Sequence, residues 1–260
     1  MKFSVLASGS GGNACYVETT NSKILIDAGL SGKELIRRLE LIKVNPGSLN
    51  ALVLTHEHID HVKGAGPLAR KFDIPVYINR ATLRKGVKAL GNLSRPVSIY
   101  TGQTFSINDI LIETFTKCHD AVDPMGIIIC SNNVKLGLIT DLGRSTRLVE
   151  ERLKGCHALI IEFNYDQEML ENSSYPLELI RRIKGAEGHL SNRQAGKLLK
   201  GISHKNLGIV IPAHLSKENN FPEKVLQEAR DVLEKCGLGH TKIAISSQDE
   251  PLSMMAISNH

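Results

Sequence analysis

The chain reads as an α/β (α+β) protein in which two β-sheets pack together and helices cover their outer faces. Three observations carry that reading. Short apolar runs recur along the whole length, they come in meander-like groups, and helical segments cluster between those groups. No Pro/Gly/Ser-rich linker, low-complexity tract or repeat period divides the sequence, so residues 1–260 are expected to form one domain.

Strands are expected first at FSVLA (Phe3 to Ala7), ACYVE (Ala14 to Glu18) and KILID (Lys23 to Asp27). The SGSGGN between the first two is a glycine-rich turn and not a phosphate loop, since it lacks the G-K-[ST] ending and a strand follows it. Ser31 with Glu34 three residues later has the form of a capping box and opens the helix KELIRRLE. The strand ALVL (Ala51 to Leu54) comes next. VKGAGPLARKF reads as a helix, PVYI as a strand and RATLRKGVKAL as a helix. Short strands follow around Val97, Phe105 and Ile110 to Phe115. The second half has the same pattern, with MGIIICS, VKLGLIT and ALIIEF as strands and helices near Leu148, Leu179 and Gln194. A strand at LGIVI precedes a long helix from Pro222 to Cys236, with proline suited to its first turn.

Bulk composition sets limits. Hydrophobic residues at 42% and charged residues at 23% are ordinary for a globular chain of 260 residues. The net charge of +5 permits an anionic partner without requiring one. Five cysteines, odd in number and without a C-x-x-C pair, mostly in apolar contexts, are expected to be buried reduced thiols. The opening MKFSVLASGSGG lacks the apolar length and flanks of a secretory signal, and no run approaches a membrane span, so a cytoplasmic location without membrane contact is expected.

Directly after ALVL stands THEHIDH, which packs three histidines and two acids into seven positions. Such density does not help a core, because these groups repel one another on protonation and lose hydration when buried. Imidazole nitrogens and carboxylate oxygens are ligands for divalent cations such as zinc or manganese. Residues two apart in an extended turn project to one side, so His56 and His58 can grip one ion while Asp60 and His61 turn toward a second. A polar surface loop with chance histidines would leave the density unexplained.

The motif H-x-H-x-D-H resembles that of the metallo-β-lactamase superfamily, and the rest of the chain meets the demands of the resemblance in order. ILIDAG supplies Asp27, FTKCHDA supplies His119, GLITDLG supplies Asp141 and IVIPAHLS supplies His214, each just past an apolar run. Singly, each has an ordinary explanation: Asp27 a helix cap, Asp141 a turn, His119 and His214 surface or core histidines. The resemblance implies a four-layer αββα metallo-β-lactamase-like sandwich with a two-metal site, of zinc or manganese, at its edge. By it, one ion takes His56, His58 and His119, the other takes Asp60, His61 and His214, Asp141 bridges them, and Asp27 buttresses the histidine loop. Histidine at position 58 sets the chain apart from the flavodiiron relatives, whose motif is H-x-E-x-D-H. Two ions about 3.5–4 Å apart suit in-line displacement at phosphorus by a metal-bridging hydroxide, and suit thioesters and lactams as well.

Downstream segments narrow the substrate. EGHLSNRQAGKLL, AHLSKENNFPE, IIEFNYDQEML and YPLELIRRIKG resemble the YycJ/WalJ-like branch, which is associated with 5′→3′ exonuclease action on DNA. By a further likeness, to the tRNA 3′-processing endonucleases, Glu162 and His189 match a pair that protonates the leaving oxygen, with Asp60 completing the catalytic set. Helix capping for His189, and a buried backbone donor for Glu162, are the ordinary explanations. Ser191, Ser216, Asn219 and Asn220 offer hydroxyl and amide donors to phosphate, although serine and asparagine also favour turns. Arg181, Arg182, Lys184, Arg193, Lys197 and Lys200 offer charge to a polyanion, or form a solvated helix face. Aromatic residues are only 4% with no tryptophan, which argues against a broad base-stacking platform. The stretch between Asp141 and His214 is too short for the cap domain of larger nucleases in the superfamily, so a polynucleotide must be gripped by the chain's own rim or by another subunit of a homo-oligomer. The expected function is therefore a dinuclear metal-dependent phosphodiesterase on nucleic acid, DNA favoured over RNA. A thioester or lactone hydrolase of glyoxalase II type is the alternative, and a binding protein that keeps its metal site without turnover is a third reading.

Overall fold

The computed structural model describes residues 1–258. In chain order its strands are β1 (Lys2–Ala7), β2 (Ala14–Glu18), β3 (Lys23–Ile26), β4 (Ala51–Val53), β5 (Val76–Asn79), β6 (Pro96–Ile99), β7 (Thr104–Ile107), β8 (Ile110–Thr116), β9 (Met125–Ser131), β10 (Val134–Ile139), β11 (Ala158–Glu162), β12 (Ile209–Ala213), β13 (Lys242–Ile243) and β14 (Met255–Ala256). Its helices are α1 (Gly32–Leu41), α2 (Ile59–Val62), α3 (Ala65–Phe72), α4 (Arg80–Leu90), α5 (Arg147–Leu153), α6 (Gln167–Glu171), α7 (Leu177–Lys184), α8 (Asn192–Ile202) and α9 (Pro222–Lys235).

The strands form two seven-stranded sheets in the orders β14-β1-β2-β3-β4-β5-β6 and β13-β12-β11-β10-β9-β8-β7. The halves mirror each other. In each, an antiparallel meander (β1-β2-β3, and β7 to β10) is extended by parallel strands (β4-β5-β6, and β11-β12-β13).

Period-two alternation sorts the side chains into layers. Val5, Ile24, Ile26, Val53, Ile127, Ile129, Ile160 and Ile211 face inward between the sheets. Leu25, Leu52 and Leu54 face outward, onto Leu35 and Leu39 of α1 and Leu68 of α3. On the other side Ile128, Leu159 and Ile161 meet Val149 and Leu153 of α5, Leu198 and Leu199 of α8, and Val225 and Leu233 of α9. Strands buried on both faces read as unbroken apolar runs, which is why KILI, ALV and ALIIE were visible in the sequence. The αββα sandwich expected from the sequence is the observed architecture.

Three local details differ from expectation. The helix expected over VKGAGPLARKF begins only at Ala65, as α3, and a separate short helix, α2, covers Ile59–Val62 within the histidine motif expected to be a loop, with Lys63 and Gly64 between the two. Gly64 donates its amide to Ala28, and a Cβ there would lie 2.3 Å from the Leu30 carbonyl, so only glycine allows the approach. The strand expected at LGIVI runs instead over Ile209–Ala213, in register with β11 so that Ala213 lies opposite Glu162. The short pieces α6, β13 and β14 were not foreseen; two-residue strands carry no periodic signal. Among the described residues, no helix is long and apolar enough to cross a membrane.

Candidate metal centre

Every residue that the motifs singled out for metal binding lies beyond the end of a strand, in the loop or the short helix α2 that follows it, and all of these strands end at one edge of the sandwich. Thr55 to His61 follow β4, His119 follows β8, Asp141 follows β10 and His214 follows β12, while Glu162 closes β11. Non-glycine residues with left-handed backbone are uncommon, yet Asp27 (φ 59°), Asp141 (φ 54°) and His214 (φ 57°) all adopt it where their strands turn out of the sheet.

Two donor clusters result. His56, His58 and His119 form a near-equilateral triangle of rings, with centroids 4.8, 5.0 and 4.9 Å apart. His58 Nδ1 and His119 Nε2 are 3.2 Å apart. Two nitrogens at about 2.0–2.1 Å from one tetrahedral zinc would be separated by about 3.3 Å. The second cluster is Asp60, His61, Asp141 and His214, whose donor atoms lie within 4.8 Å of one another. Asp141 faces both groups: Oδ2 is 3.2 Å from His61 Nε2, Oδ1 is 3.4 Å from His214 Nε2, and Oδ1 is also 3.9 Å from His119 Nε2.

Outer hydrogen bonds fix which ring nitrogen points inward. His61 Nδ1 donates to Asp27 Oδ2 at 2.8 Å, which leaves Nε2 toward the second cluster. Asp27 also accepts from the Thr55 amide and hydroxyl, both at 2.8 Å, so it braces the histidine loop and lies outside both donor groups. Thr55 Oγ1 in turn accepts from His56 Nδ1 at 3.0 Å. On the other sheet His214 Nδ1 donates to Glu162 Oε1 at 3.0 Å.

Buried polar atoms nearly always find a partner. Here His56 Nε2, His119 Nδ1, Asp141 Oδ2 and His214 Nε2 are buried without a hydrogen-bond partner, and all four belong to residues of the two clusters. A divalent cation satisfies such atoms; the donor set fits zinc or manganese chemistry. The protein groups also polarise one another. Burial alone would lower His61, but the Asp141 and Asp27 carboxylates outweigh it and raise the ring to about 10. Burial likewise opposes the charge on His214, and Asp141, Asp60 and Glu162 together drive it well above the usual histidine range. Burial pushes His56 well below it, with the charges of His61 and Lys117 adding to the effect.

Glu162 is fully buried and tightly held. It accepts from the amides of Asp141, Leu142 and Leu190 and from the imidazoles of His189 (2.9 Å) and His214. Although burial works against the anion, His189 and His214 hold it down to about 2. The His189 side chain, 22% exposed, stands over the site with its ring 5.1 Å from that of His214 and 5.5 Å from that of His119.

The four phosphate-binding candidates are placed differently. Ser191 caps α8 in a complete capping box with Gln194. Ser216 Oγ accepts the Asn219 amide, and the Asn220 side chain is engaged with Asn192 and the Phe163 and Asn164 carbonyls. Asn219 is buried, and its side-chain amide has no hydrogen-bond partner. Arg182 is held by Asp120, with Nε 2.7 Å and Nη2 2.6 Å from Oδ2.

Three contributors escaped the sequence reading. Asn13 Nδ2 lies 3.2 Å from Asp60 Oδ2 and 3.1 Å from His61 Nε2. Asp120 Oδ1 lies 3.5 Å from His119 Nε2, and Lys117 Nζ lies 3.9 Å from Asp141 Oδ2. The available signals were a polar residue closing SGSGGN and a lysine two positions before His119, on the same side of an extended chain.

Fold and site together define a class. The family model described as the metallo-beta-lactamase superfamily matches residues 7–133, and the crystal structure of the metallo-beta-lactamase fold protein YhfI from Bacillus subtilis superposes with a TM-score of 0.75. That structure is 17% identical in sequence, with 96% of this chain and 98% of YhfI covered. The exodeoxyribonuclease YycJ of Bacillus anthracis is 39% identical over 241 residues, 92% of this chain and 91% of that protein. The exodeoxyribonuclease WalJ of Streptococcus pneumoniae serotype 2 is 37% identical, over 92% of this chain and 90% of its own length. The chain belongs to the metallo-β-lactamase superfamily, in the branch that holds YycJ and WalJ.

Proposed function

We propose that this chain is a metal-dependent exodeoxyribonuclease working at a dinuclear centre. The observation that carries the reading is the Glu162–His189 pair: a carboxylate-oriented imidazole stands over two adjoining donor clusters, with Asp141 of the second facing His119 of the first. The identity to YycJ and WalJ, both named exodeoxyribonucleases, along nearly their whole lengths supports DNA as substrate and digestion from a chain end.

In this reading His56, His58 and His119 would hold one cation, Asp60, His61 and His214 would hold the other, and Asp141 would be available to both. When bound, such a pair supplies an activated solvent nucleophile and shields charge on the entering and leaving oxygens of an in-line displacement. The protein's own groups do the rest. Asp27 and Thr55 keep the histidine loop in place, and Glu162 orients His189 through Nδ1. The other ring nitrogen of His189, Nε2, delivers a proton to the departing 3′-oxygen, which is otherwise a poor leaving group. Glu162 and His189 belong to one proton-delivering unit, and Asp60, 3.8 Å from His214, completes the catalytic set from within the second donor cluster. Zinc and manganese both suit the donors.

End-labelled single- and double-stranded DNA and RNA, incubated with purified protein loaded with zinc or manganese, test this directly. Stepwise shortening of DNA from the 5′ end is expected, together with a loss of roughly 10²–10⁴-fold in rate for His189→Ala. Intact DNA in the presence of a fully loaded site, with turnover of a thioester such as an acyl-glutathione, would establish the hydrolase of glyoxalase II type instead.

A further inference from the structure

Lys117 has no part in the chemistry described above, yet it is the lysine most deeply drawn into the site. Its side chain is 2% exposed, so it cannot touch a substrate. Nζ donates to the Thr140 carbonyl at 2.6 Å and lies 3.9 Å from Asp141 Oδ2. Burying an ammonium group is costly unless it is paired and hydrogen-bonded, and an apolar side chain would fill the same space more cheaply.

The turn it holds is the one that aims Asp141. The residue sits in left-handed backbone, and its flanking peptide groups are fixed from two other strands. Lys117, just past β8, takes the carbonyl before it; Glu162, at the end of β11, takes the amides of Asp141 at 3.1 Å and Leu142 at 2.9 Å. With both peptide units clamped, the direction in which the Asp141 side chain leaves the backbone is set. Charge matters too. The carboxylates of Asp27, Asp60, Asp141 and Glu162 gather here, and Lys117 Nζ lies beside that of Asp141.

We propose that Lys117 is a positioning residue: it holds Asp141 in the one orientation that serves both donor clusters, so that filling of both depends on the Lys117 ammonium. The inference rests on the dinuclear reading of the site.

Metal content and binding isotherms of wild type, Lys117→Met and Lys117→Ala test it, with zinc or manganese as the probe. Wild type is expected to bind two ions per chain. Lys117→Met keeps the length of the side chain without its charge, and is expected to hold its first ion but bind the second roughly 10–100-fold more weakly. Propylammonium added to Lys117→Ala should restore the second ion, whereas neutral propanol should not; equal rescue by both would make Lys117 a packing residue and overturn the proposal. Two ions bound by Lys117→Met with wild-type affinity also overturn it, while leaving the dinuclear reading intact. A wild type that binds no second ion overturns both. Should the variants fail to fold, lysine-selective ¹⁵N spectra of the wild type decide: the buried Nζ signal must shift when metal is added, and an unmoved signal sinks the proposal.

Discussion

Single imidazoles in this site behave as they do because of what holds their far nitrogen. His61 is pinned by Asp27 and His214 by Glu162, and each presents Nε2 to Asp141. With His61 raised to about 10 and His214 raised well above the ordinary range, both rings carry an extra proton at neutral pH. A metal needs the neutral ring, so loading must expel those protons. The sign follows: affinity for metal climbs as pH rises from neutrality toward about 10, and it falls on acidification. Calorimetric titration of zinc at pH 7 in buffers of different ionisation enthalpy is expected to show release of about two protons per loaded chain, one from each ring. Release of none would mean that the rings are already neutral. At this scale the sequence was highly legible for the residues of H-x-H-x-D-H, because titratable side chains at that density have few other uses. Lys117 and Asn13 were not legible. A lysine and an asparagine are common everywhere, and only their burial against Asp141 and Asp60 gives them meaning.

Elements bring these residues together through close backbone contacts. The turn after β3 lies directly on the Asp60 peptide: Gly29 donates its amide to Asn13, Asn13 donates to Asp60, and a Cβ on Gly29 would fall 1.6 Å from the Asp60 carbonyl oxygen. Gly29→Ala must therefore push the histidine loop away. A loss of stability of about 1–3 kcal/mol or more is expected in urea denaturation, accompanied by weaker metal binding. Gly201, near the end of α8, makes the contrast. Beyond its chain neighbours and the helix's own backbone, nothing lies within 4 Å of where its Cβ would be, so Gly201→Ala should stabilise the helix by about 0.5–1 kcal/mol and leave metal binding alone. Equal effects from the two changes would show that the close approach at Gly29 does not matter. Strands were the easiest elements to find from the sequence because they are apolar on both faces. The break at Gly64 was missed because the apolar rhythm runs straight through it and only tertiary contact with Ala28 and Leu30 forces it.

Across the whole molecule, the inter-sheet core joins the halves: Ile26 and Val53 from the first sheet and Ile127, Ile160 and Ile211 from the second belong to one cluster. We propose on this basis that residues 1–260 form one cooperative domain. A single thermal transition is expected, since neither half can bury its inner face alone. In both donor groups the first-sheet loop supplies one part (His56 and His58, or Asp60 and His61) and the second sheet supplies the rest. A metal held by these groups would tie sheet to sheet. At a metal concentration about 100 times the dissociation constant, binding adds about 2.7 kcal/mol, so stripping with a chelator should lower the melting temperature by roughly 5–10 °C. Two separate transitions would argue for two domains, and a melting temperature indifferent to chelator would argue against a cation between the sheets.

That divided ownership has a consequence for how the protein is made. The histidine motif leaves the ribosome early, but its counterpart His214 comes late, after β12 has been synthesised. A growing chain can therefore present loose imidazoles without their counterparts, and both donor groups are complete only when the finished halves close upon each other.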